Sequence, residues 1–591
     1  VLVSVYPFGE KLPNGFERAI KMLNGYQTLW RLRVESSIEK PQNDVPRDHF
    51  SILPQNNRPS GLSIGITKGP INQDSKIQVI EAAGRRALIS EYEWRSLLSS
   101  EAPHVFWAYV LLSTCFQMTI KGCDDQTCIA CSNATVDDLS SNLRNLTICE
   151  DCKEQIETSY KYRFRELLRI VNDINKDEIY HKSLPFNMPH LGTLQRQINS
   201  ATEIQETIGQ RLFEQYGIVV LMHFLEDLVP FLEGLLNLGA KKEAIAVLVK
   251  PYPYADRPAV HSYLFHEYPT IRVEYLDSLP PDDALLMDVV DYCVNGASGK
   301  VLVIEDGGYL VPFLHRTYPE DKRNCCIGAV EQTTKGIRED EEVEKELGKL
   351  LFPVLDVATS DFKTEYEAPL VGRSVADNIR KLLPNTKWEG CQALVIGFGA
   401  IGREAARTLA SQGMIVKVYD SDKNRRAAAR VRGFQTSENV TELITKEVVL
   451  VVGATGNFKQ PAVSKDVLER IADGTVLASA SSDRFEIDIK HLERITGTCS
   501  KYKEGVGTYY TVPTQGFGKR TCLLLADGYP VNFYSGSGIP TDAIDPVLAQ
   551  LFIGAVHLAR KRPIEGKILR IMNDLNAEYH LLDDFFGVMQ W

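Results

Sequence analysis

The sequence has no long uninterrupted apolar run. Its longest apolar stretches, such as "WAYVLLSTCF" at 107–116 and "AIAVLV" at 244–249, fall well short of the roughly 20 residues a spanning helix needs, so no membrane partner is expected. It also lacks an excess of positive charge. With 66 Lys and Arg against 77 Asp and Glu, the net charge is −11, and nucleic acid is not indicated as an overall partner. No internal repeat or low-complexity tract is visible, which excludes a repeat array. No charged-then-apolar stretch opens the sequence, which starts at Val1, and a cytoplasmic location is the expectation. What is present is an ordinary globular composition, 44% hydrophobic and 24% charged, in 591 residues. That length is too great for one core, so two to four domains are expected.

Residues 394–402 read "LVIGFGAIG". A lone G-x-G-x-x-G is weak, and the surroundings decide its meaning. Upstream, "QALVIG" is a short apolar run of strand type. Downstream, "REAARTLASQG" places Ala405, Ala406, Leu409 and Ala410 on one helical face and ends at Gly413. A second strand-like run, "IVKVYD", finishes on Asp420. This is the β-turn-α-β order of a dinucleotide site. Gly397 permits the tight turn, Gly399 lets backbone approach a pyrophosphate, and Gly402 lets helix pack close to strand. Ala400 and Ile401, between these glycines, are taken as cofactor-binding too, and the N-terminus of the helix that follows receives the negative charge. Asp420 is expected to accept hydrogen bonds from both ribose hydroxyls, favouring NAD over NADP, although Lys423, Arg425 and Arg426 lie close by.

Twelve cysteines are present, and five of them fall between 123 and 152. Cys325, Cys326, Cys391 and Cys522 lie in strand-like contexts where buried thiols are common. Cys128-x2-Cys131 and Cys149-x2-Cys152 form two knuckles separated by 17 residues, a spacing that lets four thiolates converge on a structural zinc. Cys123 is a spare for a different register, and redox-active or unrelated cysteines are the alternatives. Residues 1–70 carry strand-like pieces among Pro- and Asn-rich turns, and 75–120 read as helices leading into the cysteine module. A charged, helix-like segment follows, and "SLPFNMP" is the best linker, placing a boundary near 185.

From about residue 190 to about 563 a series of blocks resembles the S-adenosylhomocysteine hydrolases. In order they are "MHFLEDLVPFLEGLLNLGA" at 222–240, "EDGGYLVPFLHRTYP" at 305–319, "GAVEQTTKGI" at 328–337 and "FPVLDVATSDFKTEYE" at 352–367. After the glycine motif come "GATGNF" at 453–458, "FEID" at 485–488 and "LADGYPVNFYSGSGIP" at 525–540. The resemblance implies α/β architecture, with a Rossmann-type doubly wound NAD domain inserted in a substrate domain behind an N-terminal α+β region. The expected divisions are 1–185, 186–375, 376–538 and 539–591, the last returning to the substrate domain or an oligomer interface. It further implies a homo-oligomer, and internally recycled NAD that oxidises a ribose 3′-carbon. The ketone then acidifies the 4′-proton, the 5′-substituent leaves, water adds, and the ketone is reduced. Lys363 falls on the family's base for the 3′-hydroxyl, a role that needs a lowered pKa. Glu367 falls on an aspartate that holds the ribose hydroxyls, and His223 and Asp306 on the pair serving the 5′-carbon. Thr333, Thr334, Thr455, Asn457 and Asn532 fall on cofactor contacts.

The departures are as informative. Ser482, followed by Asp483, stands where the family carries a histidine, and Ile539 replaces the histidine of its Gly-His-Pro segment. Gln332, Ala368, Leu225 and Asp227 replace a glutamate, an asparagine, a threonine and a glutamate, and the ending "LLDDFFGVMQW" lacks the family's Lys- and Tyr-bearing tail. The cofactor fingerprint and the redox pair survive in type, whereas groups reading adenine and the thioether end do not. Unpaired polar groups discriminate strongly among substrates, so S-adenosylhomocysteine itself is not the expected substrate. Two functions stay open: an enzyme acting on another nucleoside- or nucleotide-like molecule, and an NAD-binding pseudoenzyme that senses nucleotides or regulates a partner.

Overall fold

The computed structural model describes residues 188–589, apart from 253–256, 269, 277–278, 482, 497–499, 504–505, 514–518, 535–537 and 561–564. Before 188 it describes the strands named below, a helical stretch at 110–115 and a few single residues. The chain divides into two compact units, Val1–Phe186 with Arg257–Glu267, and Asn187–Asp256 with Tyr268–Trp591.

The first unit holds a sheet of β1 (Leu2–Pro7), β2 (Arg31–Val34), β3 (Leu62–Thr67), β6 (Ile80–Ala83) and β7 (Arg86–Ser90), with β4 (Ile71–Gln73) and β5 (Lys76–Gln78) forming a separate ribbon. The strand order is β2-β1-β3-β7-β6, parallel except for the β6–β7 pair. The expectation of helices over 75–120 is therefore corrected for its first part. "IEAA" and "RALIS" are too short for stable helices, and their two-residue Gly-Arg spacing suits a hairpin. Only residues 110–115 are helical there among the described residues. Cys128 and Cys131 lie outside the described residues, whereas Cys149 is half-buried and Cys152 buried.

The second unit contains two sheets. Its first has β8 (Tyr216–Met222), β9 (Ile245–Val249), β10 (Arg272–Tyr275), β11 (Lys300–Glu305), β12 (Cys326–Glu331) and β13 (Val354–Asp356). The second has β14 (Gln392–Ile396), β15 (Ile415–Tyr419), β16 (Gln435–Thr436), β17 (Val448–Gly453), β18 (Thr475–Ser479), β19 (Ser500–Lys503), β20 (Gly507–Pro513) and β21 (Lys519–Leu525). The chain then returns to place β22 (Ile568–Leu569) parallel to β13, so the second sheet is an insertion in the first. Strands such as "IVVLM", "IAVLV" and "VLVIE" are buried along nearly their whole length, as strands covered on both faces must be.

The strand orders are β10-β9-β8-β11-β12-β13-β22 and β16-β15-β14-β17-β18-β21-β20-β19. In each, the first strand in the chain lies centrally, and the order reverses beside it, between β8 and β11 and between β14 and β17. Such reversals open a crevice at the strands' carboxyl ends, where ligands bind. The expected doubly wound α/β fold is thus present. Two helices brace it: α1 (Gly192–Ile208) and α5 (Thr541–Arg560), with α2 (Thr334–Leu347), α3 (Ala368–Leu382) and α4 (Ala400–Ser411) between them in sequence. Asp545 of α5 accepts hydrogen bonds from the backbone N–H groups of Thr193 and Leu194, at 2.7 and 2.8 Å, and so caps α1. Helix α5 is long and apolar enough to cross a membrane, but 83% of that apolar window is buried inside this fold.

Candidate functional site

A cleft of about 490 Å³ lies at the carboxyl ends of both sheets. Its wall brings together His223, Asp306, Thr333, Thr334, Lys363, Glu367, Gly399, Ala400, Ile401, Thr455 and Asn532, residues drawn from seven separate sequence blocks. Gly397, Gly402, Asp420 and Asn457 are not on that wall.

On the cofactor side, the three glycines do different work. Gly397 has φ +105°, and a Cβ there would lie 2.3 Å from the Ala454 carbonyl oxygen; at Gly402 it would lie 2.0 Å from that of Gly397. Both positions are closed by backbone. Gly399 is open: a Cβ would meet only Arg425, 3.9 Å away. The backbone there faces space that a pyrophosphate would fill at the N-terminus of α4. Asn532 Oδ1 and Gln332 Oε1, also in the cleft, are buried with no hydrogen-bond partner, so the residues present fit a polar ligand such as the nicotinamide end of NAD.

Asp420 stands at the tip of β15, yet its carboxylate is turned to backbone. It accepts from Phe398 N at 2.7 Å and Asp422 N at 2.8 Å. Arg425, half exposed, lies 3.7 Å from it and lines the cleft instead. Asn457 is exposed and caps the turn to Lys459 N. Beneath the loop, buried Glu486 accepts from Thr455 Oγ1 and Gly456 N at 3.0 and 2.7 Å, fixing the turn after β17.

Elsewhere on the wall, Lys363 and Glu367 lie on a π-helical turn, Phe362–Glu367, that runs into α3. One turn apart, they meet at 2.8 Å with both side chains almost buried. Facing them, His223 Nε2 is 3.3 Å from Asp306 Oδ2, and the imidazole stacks on Phe533 with ring centroids 4.1 Å apart. Burial pulls the His223 pKa down to about 4; Asp306 opposes this, and Lys250 and Lys363 add to it. Burial of Asp306 favours its neutral form, but Lys250 and then His223 outweigh this and hold the carboxyl down to about 2.

Several of these neighbours were not singled out from sequence. Lys250 Nζ lies 2.5 Å from Asp306 Oδ1. Asp483 accepts from the Tyr252 and Tyr309 hydroxyls, each at 2.6 Å, and Lys335 Nζ is 3.9 Å from it and 4.0 Å above the Tyr309 ring. Burial lowers the Lys335 pKa. A charged residue directly after an apolar strand, as in "IAVLVK", was the available signal for Lys250. Among the substituted positions, Ser482 lies outside the described residues. Leu225, Ala368 and Ile539 join Val371, Ile544 and Leu548 as an apolar part of the wall.

Order reversals in two doubly wound sheets, a glycine turn open to a cleft and orphaned amide oxygens within it define a dinucleotide-binding α/β protein. The chain matches the family described as "S-adenosyl-L-homocysteine hydrolase, NAD binding domain" over residues 371–538. It is 26% identical over 397 residues to the S-inosyl-L-homocysteine hydrolase of Methanopyrus kandleri, covering 66% of this chain and 85% of that one. The adenosylhomocysteinases of Sulfolobus acidocaldarius and Thermotoga maritima are 29% and 31% identical over 281 and 280 residues. Those matches take in 47% and 46% of this chain, and span only 64% and 65% of those enzymes.

Proposed function

We propose that the chain is an NAD-dependent enzyme that oxidises a ribose-type hydroxyl of a nucleoside- or nucleotide-like substrate other than S-adenosylhomocysteine, with the cofactor restored in each turnover. The observation that carries this reading is the Lys363–Glu367 pair, 2.8 Å apart and in one cleft with the glycine turn and with His223 and Asp306. Bound NAD supplies a hydride acceptor that later returns the hydride. Gly399, Ala400, Ile401, Thr333, Thr334, Thr455 and Asn532 would hold it. Glu367 orients the sugar diol, and Lys363 takes the proton from the hydroxyl being oxidised. His223, neutral at pH 7, accepts a proton at the far end of the sugar. The apolar wall at Leu225, Ala368 and Ile539 supports a substrate whose far end is not read as adenine is.

That same apolar wall favours a second reading, a pseudoenzyme that binds NAD and a nucleotide without turning it over. The two separate in a screen of nucleosides and nucleotides that follows the NADH absorbance band. NADH formation with one compound class supports the enzyme; NAD binding with no NADH from any diol-bearing compound supports the sensor. Rapid release of homocysteine from S-adenosylhomocysteine would return the chain to the ordinary hydrolases. For the first unit, we keep the proposal of a structural zinc on Cys128, Cys131, Cys149 and Cys152, supported by their spacing. Among the described residues no group of three or more His, Cys, Asp or Glu could hold a metal. Homo-oligomer formation is supported by the last helix, Leu581–Met589, which exposes Leu582, Phe586 and Met589 at helical spacing.

A further inference from the structure

Three neighbouring strands of the first sheet, β9, β8 and β11, are each followed directly by a charged or titratable residue: Lys250, His223 and Asp306. Because β8 pairs with both others, the three side chains converge at one point of the cleft. Asp306 is divided between its neighbours, Oδ1 to Lys250 Nζ at 2.5 Å and Oδ2 to His223 Nε2 at 3.3 Å. Lys250 is wholly buried and does not line the cleft, so it is not placed to touch substrate.

We infer that Lys250 is a positioning residue of this site: it holds Asp306 as a carboxylate and, by its own buried charge, offsets the pull of that carboxylate on His223, so that the ring stays a neutral imidazole that accepts a proton. The inference rests on the enzymatic reading above for its meaning, not for its test. The charges acting on His223 are Asp306 and Asp483 on one side and Lys250 and Lys363 on the other, with the Phe533 and Tyr252 rings packed beside it. Two cations balance two carboxylates, and burial then decides for the neutral ring. Removing Lys250 leaves two carboxylates against one cation, which favours imidazolium. A neutral imidazole has no readily donated proton at pH 7.

The test is an NMR titration of the His223 ring in ¹³C-histidine-labelled full-length protein, its signal assigned by loss in His223→Gln. In the unmodified protein His223 should stay neutral down to pH 5. Lys250→Met should raise its midpoint by roughly one to three pH units, the range for a neighbouring charge, and Lys250→Arg should leave it low. The double variant Lys250→Met with Asp306→Asn removes both charges and should bring the midpoint down again. An unmoved midpoint in Lys250→Met, or a wild-type midpoint near 6.5, overturns the inference. Should Lys250→Met fail to fold, the Asp306 carboxyl carbon of the unmodified protein decides. It should keep its carboxylate shift down to pH 3, and protonation above pH 4 overturns the inference. None of these readings involves turnover, so absence of NADH formation would remove the proposed reaction and leave this result standing. Where NADH does form, Lys250→Met should spare the first hydride transfer and move only the pH profile of later steps.

Discussion

Lys363 and Glu367 sit one helical turn apart on a rigid element, with the amine directed to the carboxylate rather than to solvent. Lys363→Ala should keep cofactor and ligand binding and slow NADH formation by about 10²-fold or more, the scale of a general base, read in a single-turnover stopped-flow trace. His223 gives a second prediction, from its pKa of about 4 against an ordinary 6.5. Between those values the unfolded chain binds a proton that the folded chain refuses, so stability is intact above pH 6.5 and falls as pH drops toward 4. The full loss is about 3 kcal/mol, from roughly 1.4 kcal/mol per pKa unit. Urea titrations at pH 7, 5.5 and 4.5 should show this slope, and His223→Gln should flatten it. Both residues were legible in sequence only through the blocks around them. Lys250 and Asp483 were not, because their partners lie 56 and 231 residues away and no local pattern announces a buried ion pair or a tyrosine-held carboxylate.

Among the elements, the β14-turn-α4-β15 unit was readable from sequence, its strands to within a residue and its helix to within about three. Its apolar runs, its glycines and Gly413 each impose a local constraint that the fold also needs. The turn allows a paired prediction. Gly399→Val points into open space, so the protein should fold normally but lose the rise in melting temperature that NAD gives by mass action. Gly402→Ala drives a methyl into backbone and should lower stability by about 2 kcal/mol or more even without cofactor. Calorimetry with and without NAD separates the two. An equal loss of stability in both would show that the glycines are there only for packing. What sequence did not reveal is where Asp420 points, since strand position fixes the residue and not its rotamer. Nor did it reveal the hairpin of β6 and β7, whose runs of four and five residues carry too little periodicity to distinguish helix from strand.

At the scale of the whole molecule, the two compact units lead to independent responses. The zinc proposed for the first unit binds, if the four thiolates meet, with a free energy that is also folding free energy of that unit. Cys149→Ser should therefore release one zinc per chain, expose the first unit to limited proteolysis and leave NAD binding unchanged, because the cofactor cleft is built wholly from the second unit. Elemental analysis of the reduced protein, beside a titration with NAD, checks both halves; reduced protein without zinc removes the metal. The terminal helix gives the last test. Leu582, Phe586 and Met589 are 49%, 57% and 39% exposed and recur at i, i+4 and i+7, so one apolar stripe faces outward while Leu581 and Phe585 pack inward. A stripe of that kind is covered in solution when subunits pair about a two-fold axis, each presenting the same patch to the other. Phe586→Asp places a charge in such a contact and should lower the molar mass measured by light scattering to that of a single chain, while the NAD-induced rise in melting temperature persists. An unchanged mass would mean that the stripe is not the surface through which copies of this chain meet.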